Sequence, residues 1–219
     1  MKGSEIQGGR PPPVHAQNFS RDSSSCETDG PTMAHFDVAI CGLGAMGSAA
    51  AYHLARRGVR VVGLDRYAPG HDRGSSHGET RIIRLGYFEH PSYVPLLRHA
   101  YALWRELEKA AGRQLLHVTG IVEIGAPHGA LVRGTLGSAR LHGLRHDVLA
   151  APDLMRRFPA FRVPPDQVGV VQPDGGFLEV EPSLAALLTL AAAAGADIRS
   201  GEMVQAIEPR SSSIRIVTD

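Results

Sequence analysis

The chain has 219 residues, a length that at roughly 150 residues per domain allows one or two domains with cores of their own. Hydrophobic residues make up 43% and charged residues 21%, which excludes a wholly disordered or fibrous chain. With 23 basic and 22 acidic residues the net charge is +1, so charge gives no reason to expect a nucleic acid or an anionic membrane surface as partner, and no apolar stretch approaches the ~18 residues of a membrane span.

Residues 1–34 combine Pro11-Pro12-Pro13 and Ser23-Ser24-Ser25 with scattered charges and no apolar secretory segment, and read as a disordered extension. Met33 stands directly before the first strand-like run, which leaves Met1 and Met33 as alternative starts of translation. Cys26 and Cys41 are the only cysteines, a usage that fits a reducing cytoplasm rather than a disulfide framework. Cys41, inside an apolar run, reads as a buried strand residue.

Phe36 to Cys41 is a short apolar run and reads as a buried strand. Gly42-Leu43-Gly44-Ala45-Met46-Gly47 follows, then an alanine-rich stretch from Ser48 to Arg57 that reads as a helix ended at Gly58. Val59 to Asp65 is a second strand, closing on an acid about twenty residues past the glycines. Strand, glycine turn, helix, strand and acid in this order match the dinucleotide-binding fingerprint. Gly42 allows the tight turn, Gly44 lets the backbone approach a pyrophosphate, and Gly47 lets the helix pack on the strand. The helix N-terminus then faces the phosphates and Asp65 accepts from ribose hydroxyls. An acid at 65 disfavours a 2′-phosphate, an inference that Arg66 blurs, and these residues leave FAD and NAD both open.

Residues 70–90 are too polar and glycine-rich for a core and too dense in ligand-type side chains for a plain linker. Gly74 and Gly78 free the backbone, and Ser75 and Ser76 offer donors and acceptors. Arg81 and Arg84 are spaced so that a helical turn would put both guanidiniums on one face, facing a carboxylate or an electron-rich ring. His71, His77 and His90 follow no compact metal-ligand spacing, and no metal is expected.

The run from Gly74 to Arg84, Gly-Ser-Ser-His-Gly-Glu-Thr-Arg-Ile-Ile-Arg, resembles the signature of the monomeric sarcosine oxidase family, with its relatives N-methyltryptophan oxidase and pipecolate oxidase, in the D-amino-acid oxidase superfamily. The resemblance extends from His35 to Asp219, through Tyr93 to Leu97, Leu103 to Glu108, Thr119-Gly120, Arg157-Phe158-Pro159 and Gly175-Gly176. It implies FAD as cofactor and oxidation of the C–N bond of an N-methyl or secondary amino acid, with oxygen as acceptor and hydrogen peroxide as product. Carried onto this sequence, it implies that Gly42, Leu43, Gly44, Ala45, Met46 and Gly47 cradle the pyrophosphate and that Asp65 and Arg66 hold the ribose end. Gly74, Ser75, Ser76 and His77 line the flavin, Thr80 and Arg81 lie against its ring, and the backbone of Val204 meets the adenine. Arg84 binds the substrate carboxylate, and Arg81, Arg84 and His77 form the catalytic set.

Further along, Val94, Leu97, Tyr101, Trp104, Leu107 and Ala111 recur at helical spacing, with Ser92 as cap, Pro95 in the first turn and Gly112 at the end. Gly120 to Ile124 reads as a strand, Leu131 to Leu144 as a weak helix broken by Gly134 and Gly137, and Val168 to Val171 as a strand. Pro182 opens a nearly all-apolar helix over Ser183 to Ala194, and Asp197–Arg199, Val204–Ile207 and Ile214–Val217 read as short strands. The expected fold is α/β, a Rossmann-like FAD-binding βαβ domain with part of a mixed α+β substrate domain. The first is formed by residues 35–113 and 175–219, the second by 114–174.

Members of the family run well beyond the point matching Asp219, and the later part carries the lysine that promotes oxygen reduction and the cysteine that links to the flavin. Neither Cys26 nor Cys41 matches that cysteine, so FAD is expected to be non-covalent here. The expectation is a truncated, weakly active or inactive form of a monomeric oxidase that takes a small amino acid. An NAD-dependent dehydrogenase is the first alternative, although Gly74 to Arg84 has no role in one. A non-catalytic flavin-binding fragment or subunit is the second.

Overall fold

A computed structural model describes residues 34–219, so the extension expected over residues 1–34 falls, apart from Ala34, outside them. The chain opens with β1 (Val38–Cys41), α1 (Ala45–Ala55) and β2 (Val61–Asp65), followed by β3 (Thr80–Ile83) and the long α2 (Tyr93–Ala111). Next come β4 (Leu116–Val118), β5 (Ile121–Gly125), α3 (Ala130–His142), β6 (Asp147–Ala150), α4 (Ala151–Arg157) and β7 (Val168–Gln172). The remainder is β8 (Gly176–Glu179), α5 (Val180–Ala193), β9 (Asp197–Ser200), β10 (Val204–Pro209) and β11 (Ile214–Thr218).

β1, β2 and β9 form a parallel sheet in that order, with Val38 opposite Val61 and Val62 opposite Asp197. Val61 to Leu64 are all buried, as an uninterrupted apolar strand covered on both faces must be. Small residues let the covering helices come close: Ala51 and Ala55 of α1 and Ala191 of α5 share one core with Tyr52, Val61, Leu107, Leu115 and Leu187. Leu115 is fully enclosed there, and truncating such a leucine to alanine costs about 2–5 kcal/mol. α2 ends at Gly112, whose left-handed φ of 63° suits a residue without Cβ. Ser92 occupies its N-cap position but gives its hydroxyl to His90 Nδ1 instead of to the helix.

Two antiparallel sheets continue from this unit. One runs β3-β8-β4 and the other β5-β7-β6, while β10 and β11 pair as a hairpin whose register shifts between Val204 and Ala206. The second of these sheets falls wholly within residues 114–174, whereas β4 of the same stretch bonds to β8. From Phe36 to Asp219 the chain clusters as one compact unit.

The structure corrects several sequence expectations. Arg81 lies in β3 and Arg84 just past its end, not on a helical turn, because Thr80 to Ile83 pairs with Gly176 to Glu179. The two guanidiniums consequently have different partners. α3 is not broken by Gly134 or Gly137: Gly134 meets the backbone of Phe88, where an added Cβ would stand 2.1 Å from the carbonyl oxygen. α5 starts at Val180, two residues before Pro182, which its first turn accommodates because that turn needs no N–H donor there.

Candidate functional site

A cleft of about 570 Å³ opens at the ends of β1 and β2, where the chain leaves the parallel sheet. The glycine turn forms one wall through Gly42, Leu43 and Gly44, and Asp65 and Arg66 form the floor beyond β2. Gly74, Ser75 and Ser76 come in from the polar segment, and Val204 from β10. Position in an α/β sheet and lining together make this the place for an extended ligand.

The turn is braced from both sides. Gly42 has φ 94°, a conformation that favours glycine, and its N–H donates to the Leu64 carbonyl at 2.7 Å. The Leu43 N–H donates to Asp65 Oδ2 at 2.7 Å, and the Tyr67 N–H to Oδ1 at 2.9 Å. The Ala45 N–H donates to Ser76 Oγ at 3.0 Å, which ties the polar segment to the start of α1. A Cβ on Gly47 would stand 1.8 Å from the Gly42 carbonyl oxygen, so the helix reaches the turn only without one. Gly44, the N-cap, supplies no side chain, and no acid occupies the first turn of α1. The remaining N–H groups of that turn are thus left for an anion, with the positive end of the helix dipole behind them.

The other expected residues do not line this cleft with their side chains. Ala45, Met46 and Gly47 carry the glycine turn into α1, Met46 with its side chain exposed. Thr80 borders a second opening of about 380 Å³ with Gly78, Glu79, Phe177 and Glu179. Arg81 donates to the carbonyls of Ser75, Thr80 (2.8 Å) and His77 (3.0 Å), and among the described residues it pairs with no carboxylate. Among those residues its charge is not offset, and it holds the 75–80 loop by its backbone. His77 is exposed, and its carbonyl rather than its ring is engaged. Arg84 lies elsewhere, between Glu123 (Nε to Oε1, 3.3 Å) and Glu89 (3.5 Å), with its Cζ 4.3 Å from the Tyr87 ring centroid.

Cys41, expected to be buried, is exposed at the end of β1 and lines the cleft. Cys41 is the last residue of the strand, and its side chain meets the opening instead of the core. Sequence reasoning weighed His71 only as a metal ligand and passed over Tyr67. His71 accepts the Arg73 N–H at Nδ1 (3.1 Å), so Nε2 carries a proton and faces Asp65 Oδ1 at 3.6 Å, while the ring rests on Tyr67. Leu184 and Leu188 of α5 supply apolar lining. A single acid inside the apolar strand Ile121 to Ile124 was the one visible sign of Glu123, which is buried.

The donor set suits a dinucleotide. An uncapped helix start and a glycine wall can take phosphates, a carboxylate with lone pairs to spare ends β2, and apolar leucines line the cleft. Among the described residues no helix is long and apolar enough to cross a membrane.

Comparison with known proteins agrees. The family described as DAO, FAD dependent oxidoreductase, matches residues 37–219. A monomeric sarcosine oxidase of Streptomyces avermitilis is 43% identical over 183 residues, covering 84% of this chain and 48% of that protein. An N-methyl-L-tryptophan oxidase of Yersinia pestis is 33% identical over 183 residues, covering 84% and 49%. The structure of NikD, an unusual amino acid oxidase essential for nikkomycin biosynthesis, superposes with a TM-score of 0.75 at 36% identity, over 84% of this chain and 48% of that one. The chain spans about half the length of the curated relatives it matches.

Proposed function

The chain belongs to the FAD-dependent oxidoreductase family, and from that membership we propose that it carries the FAD site and part of the substrate site of an oxidase acting on N-methyl or secondary amino acids. The observation that carries this reading is the convergence of the glycine turn, Asp65, Gly74 to Ser76 and Val204 on one cleft. Residues 35–113 with 175–219 are assigned to the FAD domain and 114–174 to a partial substrate domain. The sheet β5-β7-β6, contained in the latter stretch, supports that division.

When bound, FAD supplies an acceptor for the electron pair leaving the carbon beside the substrate nitrogen and passes it to oxygen, giving hydrogen peroxide. Gly42, Gly44 and the start of α1 hold the phosphates, and Asp65, with Arg66 beside it, the ribose. Binding is non-covalent at the residues of this chain. Arg81, whose charge no carboxylate offsets among the described residues, would lie against the ring and supply a positive charge there. Ser75, Ser76, His77 and Thr80 line that ring, and Arg84 takes the substrate carboxylate. A monomer is the state we assign, on the similarity to monomeric sarcosine oxidases, and a reducing cytoplasm is the setting, on the two-cysteine composition.

The test is a visible spectrum of the protein after incubation with FAD and desalting, followed by peroxide release from sarcosine. Retained flavin is expected, with weak peroxide release at most. Thermal protection by NAD and not by FAD would overturn the cofactor, and peroxide release at the rate of a full-length sarcosine oxidase would overturn the reading that this chain holds only part of the substrate site.

A further inference from the structure

We propose that Glu123 is a positioning residue for Arg84: its buried carboxylate holds the Nε edge of the guanidinium, so that the Nη edge is presented to the carboxylate of an amino-acid substrate. The inference rests on the assignment of Arg84 as the ligand of that carboxylate.

Glu123 lies in the middle of β5 and is only 8% exposed. A charge this buried must be met by partners, and every one of them is identifiable. Oε2 accepts the Thr135 hydroxyl at 3.0 Å and the Gln172 amide at 2.7 Å. That leaves Oε1, whose neighbour is Arg84 Nε at 3.3 Å. The Nε atom is itself shut off from solvent and makes no hydrogen bond, so the Glu123 carboxylate 3.3 Å away balances it as a charge. Burial pushes the Glu123 carboxyl above its ordinary range, against the opposing pull of the Thr135 bond and the Arg84 charge. The pair thus stabilises the charged form of a group whose surroundings disfavour it.

A guanidinium is oriented when both its plane and one edge are constrained. The Tyr87 ring under Cζ sets the plane, and Glu123 sets the edge. Glu89 reaches only Nη2, with both oxygens at 3.5 Å, a contact weak enough to yield to a bidentate carboxylate. The segment after Arg84 is anchored to the same elements that hold Glu123. Gln172 Oε1 accepts the Gly86 N–H at 3.0 Å, Ser138 Oγ donates to the Tyr87 carbonyl at 2.5 Å, and the Phe88 backbone lies on Gly134. β5, β7 and α3 therefore fix Arg84 from behind, and Glu123 is the charged member of that support.

The experiment uses the flavin-loaded protein and measures acetate binding by calorimetry, together with kcat and KM for sarcosine and for dimethylamine, an amine without a carboxylate. Glu123→Gln keeps an oxygen for Thr135 and Gln172 but withdraws the charge from Arg84. It is expected to weaken acetate binding and raise the sarcosine KM by about tenfold, the scale of a lost bond to a charged group, with kcat and dimethylamine turnover unchanged. Combined with Arg84→Ala, it should add nothing further. If Arg84→Ala abolishes acetate binding while Glu123→Gln leaves it intact, or adds its full loss on top, the positioning role is overturned and the Arg84 assignment stands. If Arg84→Ala binds acetate like the unaltered protein, the assignment falls and the positioning role with it. A second measurement needs no variant: the Arg84 Nε–H of the unaltered protein should exchange slowly with water, and exchange as fast as that of exposed arginines overturns the proposal.

Discussion

Leu43 and Asp65 lie 22 residues apart, and the N–H of the first donates to Oδ2 of the second at 2.7 Å. The acid at the end of β2 therefore braces the glycine turn as well as facing the cleft, because its other oxygen accepts the Tyr67 N–H at 2.9 Å. Sequence spacing alone assigns this carboxylate to a ligand hydroxyl, whereas the fold uses it first for its own backbone. The two uses are compatible, since each carboxylate oxygen has a second lone pair.

Asp65→Asn separates them. An amide can still accept one of the two N–H groups, but its NH₂ faces the other and leaves that donor unpaired at a partly buried site. Loss of about 1–3 kcal/mol of stability is expected, with weaker FAD retention. Chemical denaturation with and without FAD checks both, and unchanged stability would mean that the turn is held by other contacts.

Gly47→Ala tests the close approach of α1. The new Cβ would fall 1.8 Å from the Gly42 carbonyl oxygen and 3.1 Å from Ile40 Cγ2, so the helix must move off the strand. We expect a cost at the upper end of about 1–3 kcal/mol and loss of flavin binding, read from thermal unfolding and the visible spectrum.

The β1-α1-β2 unit was legible because three signals agree there: a continuous apolar run, glycine spacing and a terminal acid. The strands β3, β4, β6 and β8 were not, since each has only three or four residues and is defined by its partner across the sheet. Arg81 and Arg84 show the consequence. Their spacing suits one face of a helix, but pairing of Thr80 with Glu179 imposes a strand and sends them to different partners. Of the site, the glycines and Asp65 could be read from order in the chain. His71 and Glu123 could not, because their roles depend on neighbours far away in sequence or on a ring tautomer.

Glu108 and Glu123 should respond to pH with opposite signs. Burial pushes the Glu108 carboxyl up, but the Leu115 and Leu116 N–H groups and Arg105 more than offset this and hold it below the ordinary range. Its contribution is present above the unfolded value of about 4.3 and is lost as pH falls through the lowered folded value. Glu123 is raised, so its contribution is present below about 4.3 and is lost as pH rises through the elevated value. Thermal midpoints followed over roughly pH 3–7 should therefore show a shallower acid decline in Glu108→Gln and a shallower decline toward neutrality in Glu123→Gln. Equal slopes in the variants and the unaltered protein would contradict both assignments.

Gly134 and Gly137 sit one turn apart in α3 and look alike in sequence, yet they should answer the same substitution with opposite signs. Alanine is favoured over glycine inside a helix by about 1 kcal/mol. At Gly137 an added Cβ meets nothing within 4 Å, so Gly137→Ala should stabilise the protein by up to that amount. At Gly134 the same Cβ falls 2.1 Å from the Phe88 carbonyl oxygen and 2.9 Å from its Cα, and backbone cannot step aside as a side chain would. The clash should outweigh the gain in propensity and push the Arg84 to Phe88 segment off α3, for a net loss of about 1–3 kcal/mol. Thermal unfolding of the two variants decides it: stabilisation by both would mean that Gly134 is only a weak helix former and that Phe88 is not held against it.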